Sequence, residues 1–328
     1  MKKITDLFVA IMVLIPFAVS GQPQGMMVHD PVGILADSTY HIFATGMGID
    51  HWTSKDLHTW KRQPAVFAQA PEWAVKSIPT FKGHIWAPDV VKYRDEFLVY
   101  YSVSAFAKNT SSIGLVSTTD LKTNNWTDHG AIITSVPSRD QWNAIDPNFI
   151  LDNDGTPWLS FGSFWGGIQL VKLAPDAKHI AQPEEWASIA RRPRSFTADS
   201  KDPGDGAIEA PFIINRNGYF YLFASIDYCC RGKNSSYKVI IGRSRDIRGP
   251  YLDKDGKSLY MGGGTVILEG DGKKWAAAGH NGIINAKQKD YFVCHAYDLE
   301  ANGAPKLIVK ELSWDDNFWP ILGVEIKQ

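Results

Sequence analysis

The sequence has few cysteines and no excess of charge of either sign. Three Cys in 328 residues, two of them adjacent at Cys229 and Cys230, cannot form a multi-bridge scaffold, and no C-x-x-C pair indicates a zinc site. With 34 Lys+Arg against 35 Asp+Glu, the net charge of −1 gives no basic field for nucleic acid or an anionic membrane. The chain is instead 44% hydrophobic and 12% aromatic, which favours a β-rich protein that stacks on flat, hydroxylated rings.

An apolar stretch lies at the N-terminus. Two lysines precede a largely apolar run from Leu7 to Val19, and small residues stand where a signal peptidase cleaves. The run is too short, and too closely followed by polar residues, for a membrane span. We therefore expect residues 1–20 to be a signal peptide and residues 21–328 to form one domain, exported to the periplasm or the medium as a monomer.

One sequence pattern recurs five times. Each copy begins with a polar or Pro-bearing opening, runs through an apolar strand, turns, and returns through an aromatic strand that ends in Ser or another small residue. The openings are His29-Asp30-Pro31, Trp86-Ala87-Pro88-Asp89, Ile145-Asp146-Pro147-Asn148, Glu209-Ala210-Pro211-Phe212 and His280-Asn281-Gly282. Their spacings of 57, 59, 64 and 71 residues each hold about four strands. The repeat predicts an all-β fold, a five-bladed β-propeller with a single axial site, with a large β-sandwich as the alternative.

Ionisable residues stand at four of the five openings. The first strand of each propeller blade lines the central channel, so Asp30, Asp146, Glu209 and His280 are expected to surround one axis. Like charges held together push their pKa values apart, so that one carboxyl stays protonated while another is ionised. Glycoside hydrolysis requires such a pair, because one carboxyl protonates the leaving oxygen while another activates water. The openings therefore predict a catalytic site.

The ordered set of openings resembles glycoside hydrolase family 43, and within it the arabinan endo-1,5-α-L-arabinosidases. The resemblance extends from about residue 26 to 320. Its motifs are the first two openings together with Asn143–Asn148, Gly162–Ile168, Ile208–Pro211, Asp227–Gly232 and Gly279–Asn281. It implies an inverting hydrolase that cleaves the α-1,5-linked L-arabinofuranose chains of arabinan in endo mode.

The resemblance also implies roles for individual residues. Asp30 would be the general base, Glu209 the general acid, and Asp146 a third carboxylate that raises the pKa of the acid and orients it. His280 would lie near a central ion, often calcium, that is coordinated largely through water. No organic cofactor is implied.

Further residues of these motifs are candidates for binding the sugar. Aromatic faces bury the apolar side of a sugar ring, and amide or hydroxyl groups bond its hydroxyls. The candidates, which include two of the carboxylates, are Asp30, Trp86, Phe106, Asn143, Asp146, Ser163, Phe164 and Trp165.

Several alternatives stay open at this stage. Ala107 stands where the family usually has glycine, Lys108 is another departure, and a loop from Glu184 to Gly206 is long enough to close one end of the cleft. These features keep an exo-acting arabinanase, an α-L-arabinofuranosidase or a β-xylosidase as alternatives. A metallohydrolase using His29, Asp30 and His280 is another, and chelation would abolish its activity. A non-catalytic sugar-binding propeller would repeat one site in every blade, whereas these five openings differ.

The adjacent cysteines are expected to be reduced. Neighbouring cysteines bridge only through a strained ring, so two buried thiols are predicted at Cys229 and Cys230. Neither is expected to be a nucleophile, because the motif contains no paired base.

Overall fold

The computed structural model describes residues 25–78, 80–195, 204–286 and 288–328. The predicted signal peptide lies outside this part of the chain. The strands of the first two blades are β1 (Val32–Ala36), β2 (Thr39–Ala44), β3 (Gly46–Met47), β4 (Asp50–Ser54), β5 (Lys61–Arg62), β6 (His84–Tyr93), β7 (Glu96–Val103), β8 (Ser111–Thr118) and β9 (Thr127–Ser135). Those of the third and fourth are β10 (Asn148–Leu151), β11 (Pro157–Phe161), β12 (Ile168–Lys172), β13 (Trp186–Ala190), β14 (Ile208–Arg216), β15 (Tyr219–Ile226), β16 (Lys238–Ser244) and β17 (Thr265–Leu268). Those of the fifth are β18 (Trp275–Ala286), β19 (Lys289–Asp298), β20 (Ala304–Trp314) and β21 (Pro320–Glu325).

Helical structure is minor in the described residues. It consists of α1 (Glu72–Ser77) and two 3-10 turns at Gly232–Asn234 and Leu259–Met261. No helix in the described ranges is long and apolar enough to cross a bilayer.

The five sheets confirm the predicted propeller. The sheets run in the orders β1-β2-β4-β5, β3-β6-β7-β8-β9, β10-β11-β12-β13, β14-β15-β16-β17 and β18-β19-β20-β21. The first strands contact one another in a closed ring, from β1 to β6, β10, β14, β18 and back to β1. A β-sandwich is excluded, because its strands would lie in two facing sheets rather than five radial ones.

Hydrophobic cores fill the spaces between adjacent blades. Phe43 packs in one cluster with Val99 and Tyr101, so the first blade is joined to the second. Equivalent clusters join the second blade to the third, the third to the fourth, the fourth to the fifth and the fifth to the first. Because the second strand of each blade is covered on both faces, it consists largely of aromatic and aliphatic residues.

The ring is closed between the first and last blades by the N-terminal segment. The Leu307 N–H donates to the carbonyl of Met26 at 2.9 Å, and the Val28 N–H donates to that of Pro305 at 3.3 Å. Met26 and Val28 are buried there in the cluster between the two blades. Residues 26–28 thus hold the first opening against the fifth blade.

Every opening places one residue in the left-handed region of backbone conformation. The residues, with their φ angles, are Asp30 (51°), Ala87 (39°), Asp146 (58°), Ala210 (52°) and His280 (54°). This conformation is uncommon for residues other than glycine, and it persists where surrounding contacts enforce it. The shared geometry explains why five sequence-distant openings present their side chains to the same axis.

Side chains of the preceding blade hold the left-handed residues in place. The Ala87 N–H donates to Thr45 Oγ1 at 2.8 Å, and the Asp146 N–H donates to Ser102 Oγ at 2.9 Å. The His280 N–H donates to Ser225 Oγ at 2.8 Å. These acceptors lie within one residue of the end of the second strand of each preceding blade. The Ser or other small residue that ends those strands in the sequence pattern therefore joins one blade to the next.

Candidate active site

A cavity of about 790 Å³ lies where the five openings meet. All ten residues that the sequence singled out as catalytic, sugar-binding or metal-binding line it: Asp30, Trp86, Phe106, Asn143, Asp146, Ser163, Phe164, Trp165, Glu209 and His280. The structure thus brings every candidate side chain to one place.

Asp30 is held by donors on both of its oxygens. Its Oδ1 lies 2.8 Å from His29 Nδ1 and 3.0 Å from His280 Nδ1, and its Oδ2 accepts from Thr45 Oγ1 at 2.5 Å. Burial opposes ionisation of this carboxyl, but the imidazoles of His29 and His280 hold the pKa of Asp30 well below its usual range. Asp30 is therefore an ionised carboxylate at neutral pH.

Glu209 is surrounded by hydroxyl groups instead of imidazoles. Its Oε1 accepts from Tyr237 Oη and its Oε2 accepts from Ser163 Oγ, both at 2.7 Å. The glutamate is half-buried, whereas Tyr237 is fully buried beneath it. Two hydrogen bonds from packed residues fix the direction of this carboxyl in the cavity.

Asp146 stands between these two carboxyls in the chain order of the openings. Its Oδ2 accepts the N–H of Ala210, the residue after Glu209, at 3.1 Å. Burial raises the pKa of Asp146 to about 8, and the nearby charges of Glu209 and Asp30 add to this while His280 opposes it. The group of three carboxyls therefore binds a proton at neutral pH, and Asp146 rather than Asp30 favours the protonated form.

His280 completes the charge balance on the Asp30 side. Burial alone would lower the pKa of His280, but the charges of Asp30, Asp146 and Glu209 and the hydrogen bond to Asp30 raise it to about 9. The ring thus carries a positive charge beside Asp30 at neutral pH.

The residues around His280 fit an ion held through water better than one coordinated directly. Calcium prefers six to eight oxygen ligands, roughly, and His280 offers a ring whose Nδ1 already faces Asp30. The adjacent Asn281 is buried, and neither its amide oxygen nor its amide nitrogen has a hydrogen-bond partner among the described residues. An amide in that state is suited to bind ordered water.

The four aromatic candidates differ in what they offer to a sugar. Phe106 is 78% exposed and presents an open ring to the cavity. Trp86 is half-buried and donates its indole N–H to His84 Nδ1 at 3.0 Å, and Phe164 lies 6.1 Å from the ring of Tyr228. Trp165 is only 3% exposed, so it packs in the cavity wall and has little free face for stacking.

The two polar candidates also differ. Asn143 is buried, and its Oδ1 has no partner within the described ranges, which leaves an acceptor for a sugar hydroxyl. Ser163 donates to Glu209, so its hydroxyl orients this carboxyl. Ser163 belongs to the loop 162–167, and the Gly166 N–H of this loop donates to the carbonyl of Gln141, two residues before Asn143, at 2.7 Å.

The prediction of two reduced, buried cysteines is wrong. Cys229 and Cys230 form a disulfide, and Cys230 is exposed at the cavity while Cys229 is half-buried. Cys230 adopts the left-handed backbone conformation (φ 66°), and in this turn the two adjacent sulfur atoms meet. Cys294 is the free, buried cysteine of the chain.

The long loop expected between Glu184 and Gly206 is partly a strand. Its residues Trp186–Ala190 form β13, the outer strand of the third blade. Residues 196–203 lie outside the described residues, and Gly204 lines the cavity. Ala107 adopts φ 56° there, which accounts for the family's preference for glycine at this position.

Sequence reasoning missed three residues that contact the candidate catalytic groups, namely Tyr237, His295 and Tyr297. Tyr237 bonds Glu209, and the N–H of Asp30 donates to His295 Nδ1 at 3.1 Å. Tyr297 contacts His29 Nε2 at 2.9 Å. None belongs to an opening; the only available signal was that Tyr237 follows the motif Asp227–Gly232 and His295 ends the aromatic strand of the fifth repeat.

Comparison with known proteins identifies a family and several similar proteins. The model of the family Glycosyl hydrolases family 43 matches residues 25–320. The chain is 46% identical over 297 residues to the extracellular exo-α-(1→5)-L-arabinofuranosidase ArbA of Cellvibrio japonicus, covering 89% of this chain and 85% of that protein. It is 41% identical over 298 residues to the extracellular endo-α-(1→5)-L-arabinanase 1 of Bacillus subtilis, covering 90% and 87%. The Cellvibrio cellulosa α-L-arabinanase complexed with arabinohexaose superposes with a TM-score of 0.89 at 44% identity, covering 91% of this chain and 96% of that one.

Proposed function

The chain belongs to glycosyl hydrolase family 43 and is therefore a glycoside hydrolase, and we propose that it cleaves the α-1,5 linkages of arabinan with inversion. The observation that carries the proposal is that Asp30, whose pKa is lowered, and Asp146, whose pKa is raised, line one cavity together with Glu209. The names of the relatives described above support arabinan as the substrate.

Asp30 is proposed as the general base. Its Oδ1 already faces two imidazoles, while its Oδ2 accepts only from Thr45 among the described residues, so Oδ2 retains a lone pair for water. The water oxygen attacks the anomeric carbon while Oδ2 takes the proton. An inverting site needs the base and the acid about 6.5–9.5 Å apart to admit this water.

Glu209 is proposed as the general acid. Its proton passes to the glycosidic oxygen as the bond to the anomeric carbon breaks, so the leaving sugar departs as a neutral alcohol. Asp146 would keep a proton within the pair before the reaction, and Tyr237 and Ser163 would then stabilise the ionised Glu209 after it. Proton exchange with solvent restores both groups.

Substrate binding is proposed to use the exposed and half-buried aromatic residues. Phe106, Trp86 and Phe164 would stack on successive arabinofuranose rings, and Asn143 would accept from a hydroxyl. Asp30 and Asp146 would contact the ring at the point of cleavage.

The mode of attack has two candidates. Endo action is the sequence prediction, and the Bacillus subtilis relative is named an endo-arabinanase. Exo action is favoured by the Cellvibrio japonicus relative, which is named an exo-arabinofuranosidase and is 46% rather than 41% identical. Both modes use the same three carboxyls.

A calcium ion and export are further proposals. A hydrated calcium ion near His280 and Asn281 would add positive charge at the axis and so offset the carboxylates. Export after removal of residues 1–20 agrees with the extracellular relatives. A monomer remains a prediction.

Product analysis on linear arabinan tests the proposal. The wild type and Glu209→Ala are compared with Glu311→Gln, which alters only an exposed ion pair with Lys289. We expect early products of inverted configuration and a loss of at least ~10²-fold for Glu209→Ala alone. Mixed oligosaccharides at early times indicate endo action, and one short product from the start indicates exo action. An inactive wild type would support a non-catalytic sugar-binding propeller. A fully active Glu209→Ala would contradict the proposed acid, and if chelation also abolished its activity a metallohydrolase would be supported.

A further inference from the structure

Tyr297 on β19 joins three groups that lie next to the proposed general base. Its Oη lies 2.9 Å from His29 Nε2 and 3.2 Å from His295 Nε2, and it accepts the N–H of Cys230 at 2.8 Å. The tyrosine is 2% exposed. The positions of the protons in this buried group can be derived from the donors whose direction is fixed.

The tautomer of His295 follows from the Asp30 backbone. The Asp30 N–H lies 3.1 Å from His295 Nδ1, and because a backbone N–H only donates, Nδ1 carries no proton. The neutral ring therefore has its proton on Nε2, which donates to Tyr297 Oη.

The direction of the Tyr297 hydroxyl follows next. Its two oxygen lone pairs are used by Cys230 N–H and His295 Nε2–H, so the phenolic proton must point to a third group. His29 Nε2 at 2.9 Å is an acceptor in the right place, whereas Cys230 Sγ is 4.0 Å away and sulfur accepts weakly. The Ser235 side chain also interacts with Tyr297, but it lowers the pKa of Tyr297 and so acts as a donor to the phenol oxygen. Tyr297 therefore donates to His29.

We propose that Tyr297 is a positioning residue that sets the tautomer of His29 and thereby the orientation of Asp30. A His29 ring that accepts at Nε2 has its proton on Nδ1, and this Nδ1–H donates to Asp30 Oδ1 at 2.8 Å. The contact occupies Oδ1 and leaves Oδ2 for the water. The inference rests on the proposed role of Asp30 as the base.

The disulfide turn is part of the same network. The Cys229–Cys230 turn aims the Cys230 N–H at Tyr297, and Cys230 Sγ lies 3.8 Å from His29 Nε2. Without the Tyr297 hydroxyl, His29 can move its proton to Nε2. Its Nδ1 lone pair would then face the Asp30 carboxylate at hydrogen-bond distance and repel it.

The test compares Tyr297→Phe with Tyr251→Phe. Tyr251 is equally buried, and its O–H donates to the Ile247 carbonyl at 2.7 Å in another blade, so this control removes a buried hydroxyl away from the site. We expect Tyr297→Phe to lower kcat on arabinan about 10- to 100-fold, the effect of one hydrogen bond to a charged network, with KM changed less than about twofold. Tyr251→Phe should change neither constant.

Long-range proton–nitrogen NMR of the wild type gives a second readout that does not depend on a variant folding. The inference predicts that His29 carries a proton on Nδ1 and none on Nε2, and that His295 carries a proton on Nε2 and none on Nδ1. A wild-type kcat in folded Tyr297→Phe, or an Nε2–H tautomer of His29 in the wild type, overturns it. Asp30→Asn distinguishes failure of the proposed base from failure of the positioning role. If Asp30→Asn is active, the proposed base is wrong. If Asp30→Asn is inactive and Tyr297→Phe is unaffected, only the positioning role of Tyr297 is overturned.

Discussion

The two sides of the cavity share one backbone conformation but shift the pKa values of their carboxyl groups in opposite directions. On the side of the first and fifth blades, Asp30 faces imidazoles, and its pKa lies well below the usual range. On the side of the third and fourth blades, Asp146 is buried near Glu209, and its pKa rises to about 8. The left-handed openings place all of these groups at one axis, so the difference comes from the neighbours and not from the fold.

The acceptor of the backbone N–H group at an opening also differs from blade to blade. Thr45 and Ser102 accept backbone N–H groups at ordinary openings. At the openings of Asp30 and Ala210 this acceptor is replaced by His295 and by the Asp146 carboxylate. The two exceptions are the openings that carry the proposed base and acid.

Replacement of the proposed base should have the largest effect on activity. Asp30→Asn keeps the shape of the side chain but cannot take a proton, so kcat on arabinan should fall about 10²- to 10⁴-fold. Steady-state kinetics check this, with circular dichroism to show that the variant is folded. Retention of more than about a tenth of the activity would contradict the role of Asp30.

Removal of one hydroxyl on the acid side should have a smaller effect. Tyr237→Phe leaves Glu209 Oε1 without its donor at 2.7 Å, and kcat should fall about tenfold because one hydrogen bond to a charged group is lost. Tyr251→Phe is the matched control. Equal kinetics of the two variants would show that Tyr237 only packs beneath the site.

Removal of an exposed aromatic ring should affect binding more than chemistry. Phe106→Ala should raise KM on arabinan oligosaccharides about 3- to 10-fold with little change in kcat, since its 78% exposed ring is proposed to stack on sugar. Phe318→Ala, which removes a ring that is 48% exposed and does not line the cavity, should change neither value. An unchanged KM for Phe106→Ala would remove this residue from the proposed binding set.

The smallest expected effect is on the pH dependence of the thermal stability. The pKa of Asp146 is raised to about 8 in the folded protein, so the folded state binds this proton more tightly than the unfolded chain does. The resulting stabilisation is lost as the pH rises through that value. Asp146→Asn cannot ionise, so its Tm relative to wild type should increase between about pH 5 and pH 8, by at least about 2 °C. Thermal unfolding followed at both pH values measures this, and parallel Tm curves would contradict the raised pKa.

The repeat made much of the fold and part of the site predictable. Five openings with similar spacing required five blades, and the axial position of first strands then brought Asp30, Asp146, Glu209 and His280 together. The number of blades and the positions of these four residues could be predicted because each opening is a short, contiguous motif.

The remaining contacts depended on tertiary packing. Tyr237 and Tyr297 act from positions that no repeat marks, and their partners are 28 and 268 residues away in the chain. The cysteine prediction failed because it considered the ring alone and not the backbone conformation of Cys230. Trp165 lines the cavity as the sequence predicts, but its 3% exposure comes from tertiary packing that its loop context does not show.

The most direct test of the two-sided site uses substrates with good and poor leaving groups. Asp30→Asn and Glu209→Gln are assayed on arabinan oligosaccharides and on the corresponding aryl α-L-arabinofuranosides. An activated aryl group leaves without protonation, so Glu209→Gln should regain at least about tenfold of its lost activity on the aryl substrate, whereas Asp30→Asn should be impaired equally on both. Equal losses of the two variants on both substrates, or recovery of Asp30→Asn instead, would contradict the assignment of acid and base to the two sides.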